Sequence, residues 1–545
     1  MTAEILLLLL PALILMVGAA ILGLLPERLR SPYFVVVPMV ALAALWLYTD
    51  ADKLSLVFGT IFAMIASIGG IYAYHLRDRL QQISAMVYAG GAMGVVLAQD
   101  YYTLFVFWEL MAVSSTYLIW ANRTTESQEA GMRYLAVHIL GGGLLFAGIV
   151  MLVNDTGSSL ITSLPDRYTL PSVLILLGVA LNTAIPPLNA WLPDAYPKAT
   201  ITGAVFMSAF TTKSAVFVLM RIFPGWDILI WFGVAMALYG VVYAVLANDI
   251  RQILAYHIIS QVGYMVAGVG IGTEMALSGT AAHAFSHILY KSLLFMGAGT
   301  VLYATGKSKL TELGGIASKM KAAVFLYMIG AFSISGFPLF NGYISKSMIV
   351  SAAGQSHLET AMLLLILASV GTFLHTGLKL PYFTWFGESK SDITVGPVPQ
   401  NMLVAMGVGA FFCTLFGVYP DLLYRFLPYE VTYNPYTVYH FVEMTQILVF
   451  TFIGFWILRK KLEGEALIAL DTDWFYRRSA PLARRVFVSA VAGFFDASER
   501  MVKQISTKTI SLVGESESRN ESDMFHIVAG ILIVFVLLGT FLILA

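Results

Sequence analysis

Cysteine and charge are what this chain lacks. One cysteine, Cys413, stands in 545 residues. That excludes a disulfide framework and any cysteine-ligated zinc or iron–sulfur centre within the chain. Charged residues make up 12% of the sequence, half the roughly 25% typical of soluble globular proteins. The 32 basic and 32 acidic residues cancel, so no positive excess points to nucleic acid. The short alternating segments that an outer-membrane barrel needs are missing too. The first apolar run has neither a basic stretch before it nor a small-residue cleavage site, so it is expected to be a retained span and not a secretory signal.

What is present is apolar length. Hydrophobic residues make up 58% of the chain, and mean hydropathy is +0.79. Runs of about 20 apolar residues, enough to cross a hydrocarbon core as a helix, recur near 4–24, 31–49, 54–76, 82–98, 101–121, 130–153, 171–190, 200–221, 226–247, 252–271, 277–304, 321–350, 358–386, 400–420, 437–458 and 524–545. The reading is an all-α polytopic membrane protein of about sixteen spans, several long enough to be tilted or broken. Basic residues gather in the loops after odd-numbered spans, among them Arg28, Arg77, Arg133, Arg251 and the Arg459-Lys460-Lys461 run. The positive-inside rule then places those loops in the cytoplasm and both termini outside. Residues 462–523 mix Trp474, Phe475, Val486, Phe487 and Phe494 with Arg477, Arg478, Arg484 and Arg485, the pattern of an amphipathic helix lying along the cytoplasmic interface.

An ionisable group at mid-bilayer costs about 2.5–3.5 kcal/mol on insertion scales, so a chain that keeps several is using or pairing them. Glu109 lies deep in the fifth span with no neutralising neighbour in sequence. Lys213 lies too deep in the eighth span to snorkel easily. His283, His287 and Lys291 recur every four residues and so share one stripe of the eleventh span, a spacing suited to a relay through intervening waters. Two histidines four apart could also chelate a metal, but no acidic or thiolate partner accompanies them, so no metal and no cofactor is assigned. Lys346 follows Gly336-Phe-Pro-Leu-Phe-Asn-Gly, which argues for a broken helix, tolerated at membrane depth only where it lines protein or water. A second break is expected at Pro186 and Pro187, where the nearby polar residue is Asn182. His138, His257, His375 and Lys379 are secondary candidates, expected at span edges or helix–helix contacts.

Three stretches carry a resemblance. They are Pro187-Leu-Asn-Ala-Trp-Leu-Pro-Asp-Ala-Tyr-Pro, the segment Asn248-Asp-Ile-Arg-Gln-Ile-Leu-Ala-Tyr-His-Ile-Ile-Ser-Gln-Val-Gly-Tyr-Met, and His283-Ala-Phe-Ser-His-Ile-Leu-Tyr-Lys-Ser-Leu-Leu-Phe. Over roughly 55–420 the chain resembles the antiporter-like subunits shared by Mrp-type sodium/proton antiporters, respiratory complex I and membrane-bound hydrogenases, with the second stretch close to the D-type Mrp form. The resemblance implies two inverted five-helix repeats, each with a broken helix. It divides the chain into N-terminal helices (1–100), a first repeat (101–250), a second repeat (251–390), C-terminal helices (391–461), a lateral amphipathic helix (462–523) and a final anchor (524–545). It implies proton-handling roles for Glu109, Lys213, His283, His287, Lys291 and Lys346. The chain departs from the family at Asn182, thirty-one residues before Lys213, where the family usually carries a lysine that pairs with the fifth-helix glutamate.

These expectations describe a proton-translocating subunit, with sodium as an open second ion, in the cytoplasmic membrane of a bacterium or archaeon. It would work beside other integral membrane subunits. The alternative is a structural, partly inactive subunit that anchors redox partners through its lateral helix, a reading that Asn182 motivates. No nucleotide fingerprint or metal-ligand set is visible, so electron chemistry falls to other chains.

Overall fold

The computed structural model describes residues 3–388, 392–463, 471–472, 474 and 477–478. The lateral helix expected over 462–523 and the anchor over 524–545 lie almost wholly outside the described residues. The chain divides into a body, Met1–Asp473, and a second unit, Trp474–Ala545.

Among the described residues, twelve helices are long and apolar enough to cross a bilayer, and three shorter apolar helices join them. In chain order the body runs α1 (Leu10–Leu24), α2 (Glu27–Tyr48), α3 (Lys53–Tyr72), α4 (Arg79–Leu97), α5 (Tyr101–Trp120), α6 (Thr125–Thr156), α7 (Leu170–Thr183), α8 (Ile201–Ile222), α9 (Asp227–Leu246), α10 (Ile250–Ile271), α11 (Glu274–Thr305), α12 (Lys321–Ser335), α13 (Asn341–Gln355), α14 (Glu359–Phe386), α15 (Gln400–Val418) and α16 (Val438–Leu458). Side-chain caps fix many starts. Asp52, Asp78, Asp100 and Asp249 accept from first-turn amides of α3, α4, α5 and α10. Thr124, Thr169, Thr200 and Thr273 do so for α6, α7, α8 and α11.

Burial orders the helices. The apolar stretches of α8 and α10 are enclosed by protein, and that of α11 nearly so, whereas α2, α6 and α16 keep much of their surface outward. Outer helices therefore surround three central ones. Small residues let the centre close. A Cβ on Gly233 of α9 would collide with the backbone nitrogen of Ala267 on α10, so these two helices touch backbone to backbone.

Both expected breaks are present. After Thr183 the chain turns at Ala184 (φ 62°), and the freed Leu181 carbonyl accepts a hydrogen bond from the Trp191 indole at 2.9 Å. The second break runs from Gly336 (φ 75°) through Leu339 (φ 74°) before α13 resumes at Asn341. A third interruption divides α8 at Phe210, between Ile201–Ala209 and Thr211–Ile222.

Two arginines assigned to cytoplasmic loops belong elsewhere. Arg251 is inside α10 and buried. It donates to the carbonyls of Tyr196, Pro197, Ala199 and Thr200 at 2.9–3.2 Å. Those carbonyls end the irregular stretch before α8, so Arg251 clips the first break to the central helix. Arg133 lies inside α6 and forms a two-pronged pair with Asp194, at 2.7 and 3.1 Å, from the other side of the same stretch. Both charges are structural fasteners and drop out of the loop count.

Candidate functional site: a buried polar axis

Lys213, Lys291, His283, His287, His257 and His375 are fully enclosed, and Lys346 and Lys379 nearly so. They lie on α8, α10, α11, α13 and α14, the helices packed around the centre. No carboxylate forms a salt bridge with any of the four lysines among the described residues.

Three of these lysines are held by main-chain carbonyls. Lys346 Nζ donates to Ile334 O at 2.8 Å and to Ser369 Oγ at 3.3 Å. In an unbroken helix Ile334 O would accept from residue 338, but that residue is proline and has no N–H. The break thus creates the acceptor, and the negative end of the α12 dipole faces the ammonium. Lys213 Nζ donates to Ser208 O at 2.6 Å and to Thr212 Oγ1 at 3.0 Å, beside the interruption in its own helix. Lys379 Nζ donates to Val245 O at 2.6 Å, in the last turn of α9. A helix end therefore supplies partial negative charge where no carboxylate does.

Lys291 differs, because its buried Nζ has no hydrogen-bond partner. Neither nitrogen of His287 has one. His283 shares a 3.1 Å hydrogen bond between Nδ1 and Ser345 Oγ, while its Nε2 is unpartnered. The rings of His283 and His287 are 6.4 Å apart, and the Tyr264 ring lies 5.9 Å from that of His283 and 5.3 Å under the Lys346 ammonium. Buried polar atoms in proteins are nearly always hydrogen-bonded to protein or ordered water. A run of donors and acceptors this dense without protein partners is unusual for a packed interior and singles out this stretch as a polar axis.

Two of the secondary candidates meet between α10 and α14. His257 on α10 and His375 on α14 were expected at span edges or helix contacts. The structure places them at a helix–helix contact, deep in the interior, with ring centroids 5.4 Å apart and all four ring nitrogens unpartnered. His375 and Lys379 lie on a π-wound stretch, Phe373–Lys379, a geometry that often accompanies function. Gln261 was missed. Its amide joins Tyr290 and Thr372 at 3.4 and 3.3 Å, and the signal available was a lone amide inside an apolar span.

Glu109 stands apart from this axis. It is half-buried on α5 between outward-facing Val106 and Val113. It packs on α6, where a Cβ on Gly142 would collide with its Oε1, and that oxygen is buried without a partner. One turn back on α6, buried His138 stacks on Tyr134 at 3.9 Å, bonds Tyr134 O through Nδ1 at 2.8 Å and leaves Nε2 free. The Tyr134 hydroxyl meets Ser115 at 2.9 Å and Thr211 at 3.5 Å, and Thr211 meets Tyr88 at 2.5 Å. Thr211 is two residues from Lys213, so aromatic and hydroxyl groups bridge the Glu109 side to the central lysine. Asn182 is buried at the end of α7 with its Oδ1 unpartnered. No group of three or more metal-ligating side chains forms among the described residues.

The family model described as NADH:quinone oxidoreductase/Mrp antiporter, TM matches residues 98–374. The chain belongs to that family. It is 30% identical over 366 residues to the D-type Na(+)/H(+) antiporter subunit of Alkalihalophilus pseudofirmus, covering 61% of this chain and 73% of the relative. With the A-type antiporter subunit of the same organism it shares 27% identity, covering 68% of this chain and 52% of that longer protein. With an uncharacterized protein of Methanocaldococcus jannaschii it shares 29% identity, covering 70% and 83%. The fold is that of a chain in the Mrp complex from Dietzia (TM-score 0.70, 21% identity, 82% of this chain and 100% of that one). It is also that of a chain of the membrane-bound sulfane sulfur reductase, an archaeal respiratory membrane complex (TM-score 0.72, 22% identity, 98% and 100%). This antiporter-family chain is a multi-pass membrane protein, and its breaks at Ala184 and Gly336 each lead into a lysine-bearing helix.

Proposed function

We propose that the chain is a proton-translocating subunit of a multi-subunit membrane complex, carrying protons along the buried axis. The observation that carries the reading is the row of enclosed, uncompensated lysines and histidines in the middle of the body. Lys213, Lys291 and Lys346 load and release protons. His287 and His283 pass them between the lysines through water, each imidazole accepting at one nitrogen and donating at the other. The carbonyls at the helix breaks stabilise Lys213 and Lys346 when charged without locking them as a carboxylate would. Glu109 exchanges protons at the edge of the chain. Where the family resemblance implies a lysine, this chain has Asn182, and the connection from Glu109 to Lys213 passes through His138, Tyr134 and Thr211.

The relatives named above as sodium/proton antiporter subunits support sodium as the coupled ion, and the complexes that hold similar chains support neighbouring membrane subunits as partners. The membrane is the cytoplasmic one of a bacterium or archaeon, with the Arg459–Lys461 side inward and the N-terminus outside. A second reading is favoured by Asn182 alone, namely a structural role in which the path no longer conducts.

One experiment separates the two. Proton transport is measured in membrane vesicles that hold the assembled complex, with Lys346→Ala and His138→Phe. The reading expects loss of transport in the first. It expects a reduction of about tenfold or more in the second, because phenylalanine keeps the stacking on Tyr134 but cannot relay a proton. Full transport in both, with normal assembly, supports the structural role.

A further inference from the structure

A cavity of about 50 Å³ lies between α13, α14 and α16, and Lys346 forms part of its wall. Its polar lining is Lys346, Ser347, Ser351, Ser369, His440 and Glu443. We propose that this cavity is the port through which Lys346 exchanges protons with the membrane surface where α16 begins, and that Glu443 and His440 are its outer proton-handling groups. The proposal rests on the translocation reading and adds the port and its side.

Three observations carry it. The first is direction. α13 starts at the mid-membrane break and runs from Lys346 to Gln355, nine residues or about 14 Å of helix. α16 starts at Val438, so His440 and Glu443 lie in its first two turns, at the end opposite the Arg459–Lys461 run. Ser351 of α13 reaches the Tyr433 hydroxyl just before α16, at 3.5 Å, so the outer end of α13 and the start of α16 reach the same surface. The second is capacity. Room of this size holds a few waters, and side chains able to hydrogen-bond them, Lys346, His440 and Glu443 among them, stand in its wall. It is too small for a lipid headgroup. The third is placement. α16 is among the most outward-facing helices of the body, so an acid on its inner side is costly to keep unless it meets a polar space. Glu443 is half-buried and has no hydrogen bond or ion pair among the described residues. His440 is stacked on Tyr343 at 4.4 Å and bonded to Pro435 O through Nδ1 at 2.9 Å, which leaves Nε2 available to the cavity.

The test uses vesicles of both orientations carrying the assembled complex. Cys413 is this chain's one natural cysteine and is buried, so thiols introduced by Ser351→Cys and Met444→Cys are read against the unsubstituted complex. Silver ion, a thiol-reactive cation small enough to enter, is expected to modify both from the α16-start side only, and to slow transport as it does so. Glu443→Gln is expected to lower the proton transport rate by about tenfold, with Glu443→Asp restoring most of it. If neither cysteine is labelled from that side, or Glu443→Gln transports normally while Lys346→Ala does not, the port is elsewhere and the translocation reading stands. If Lys346→Ala also transports normally, the translocation reading itself is what fails.

Discussion

Lys213→Ala is expected to reduce proton transport by about a hundredfold or more, the scale of a positioned proton-transfer group, while the complex still assembles. The side chain is enclosed and sits where α8 is interrupted, its ammonium bonded to Ser208 O and Thr212 Oγ1. Removing it opens a space that water can enter, so Ser208 O need not be stranded and the fold loses little. Transport suffers because Lys213 joins the two halves of the axis. On one side Thr211, Tyr134 and His138 lead toward Glu109, and on the other α11 presents His287 and Lys291. Lys213→Arg is expected to fail as well, since a guanidinium holds its proton throughout. Transport rates in vesicles, normalised to complex content, check both variants. A Lys213→Arg variant at full rate would mean that charge and not proton exchange is what the position supplies.

Arg251→Ala is expected to have the largest effect on stability, about 1–3 kcal/mol, the cost of leaving buried carbonyls without a donor. Its guanidinium serves four carbonyls between Tyr196 and Thr200, and their position sets how the first break meets α8. Lysine in its place has three donors on one atom and cannot span the fork, so Arg251→Lys should recover only part of the loss. Thermal unfolding of the detergent-solubilised complex measures the effect. Equal melting temperatures for wild type and Arg251→Ala would show that the clip carries no load.

Much of this organisation could be read from the residue order, for identifiable reasons. Apolar runs define spans because lipid leaves a helix few alternatives, and the first fifteen expected runs all coincide with helices or broken helices here. Pro186, Pro187, Gly336 and Pro338 marked the breaks because proline cannot donate and glycine tolerates left-handed turns. The four-residue spacing of His283, His287 and Lys291 placed them on one stripe before any coordinates. What escaped was contact between distant segments. Nothing in the sequence says that Arg251 reaches Tyr196, that His257 faces His375, or that Glu443 shares a cavity with Lys346. Such pairs are set by how helices cross, and a periodic pattern carries a face but not its partner. Arg133 and Arg251 were misplaced for the same reason, since a basic residue at a helix start resembles a loop charge until its acceptors are seen.

The most direct measurement is the solvent content of the axis in the assembled complex, read from a map sharp enough to show ordered water. The account predicts water within hydrogen-bond distance of Lys291 Nζ and of both His287 nitrogens, in a row reaching Lys213 at one end and the Ser345–Lys346 turn at the other. Apolar side chains packed dry against those nitrogens, with no water between Lys213 and Lys346, would contradict it.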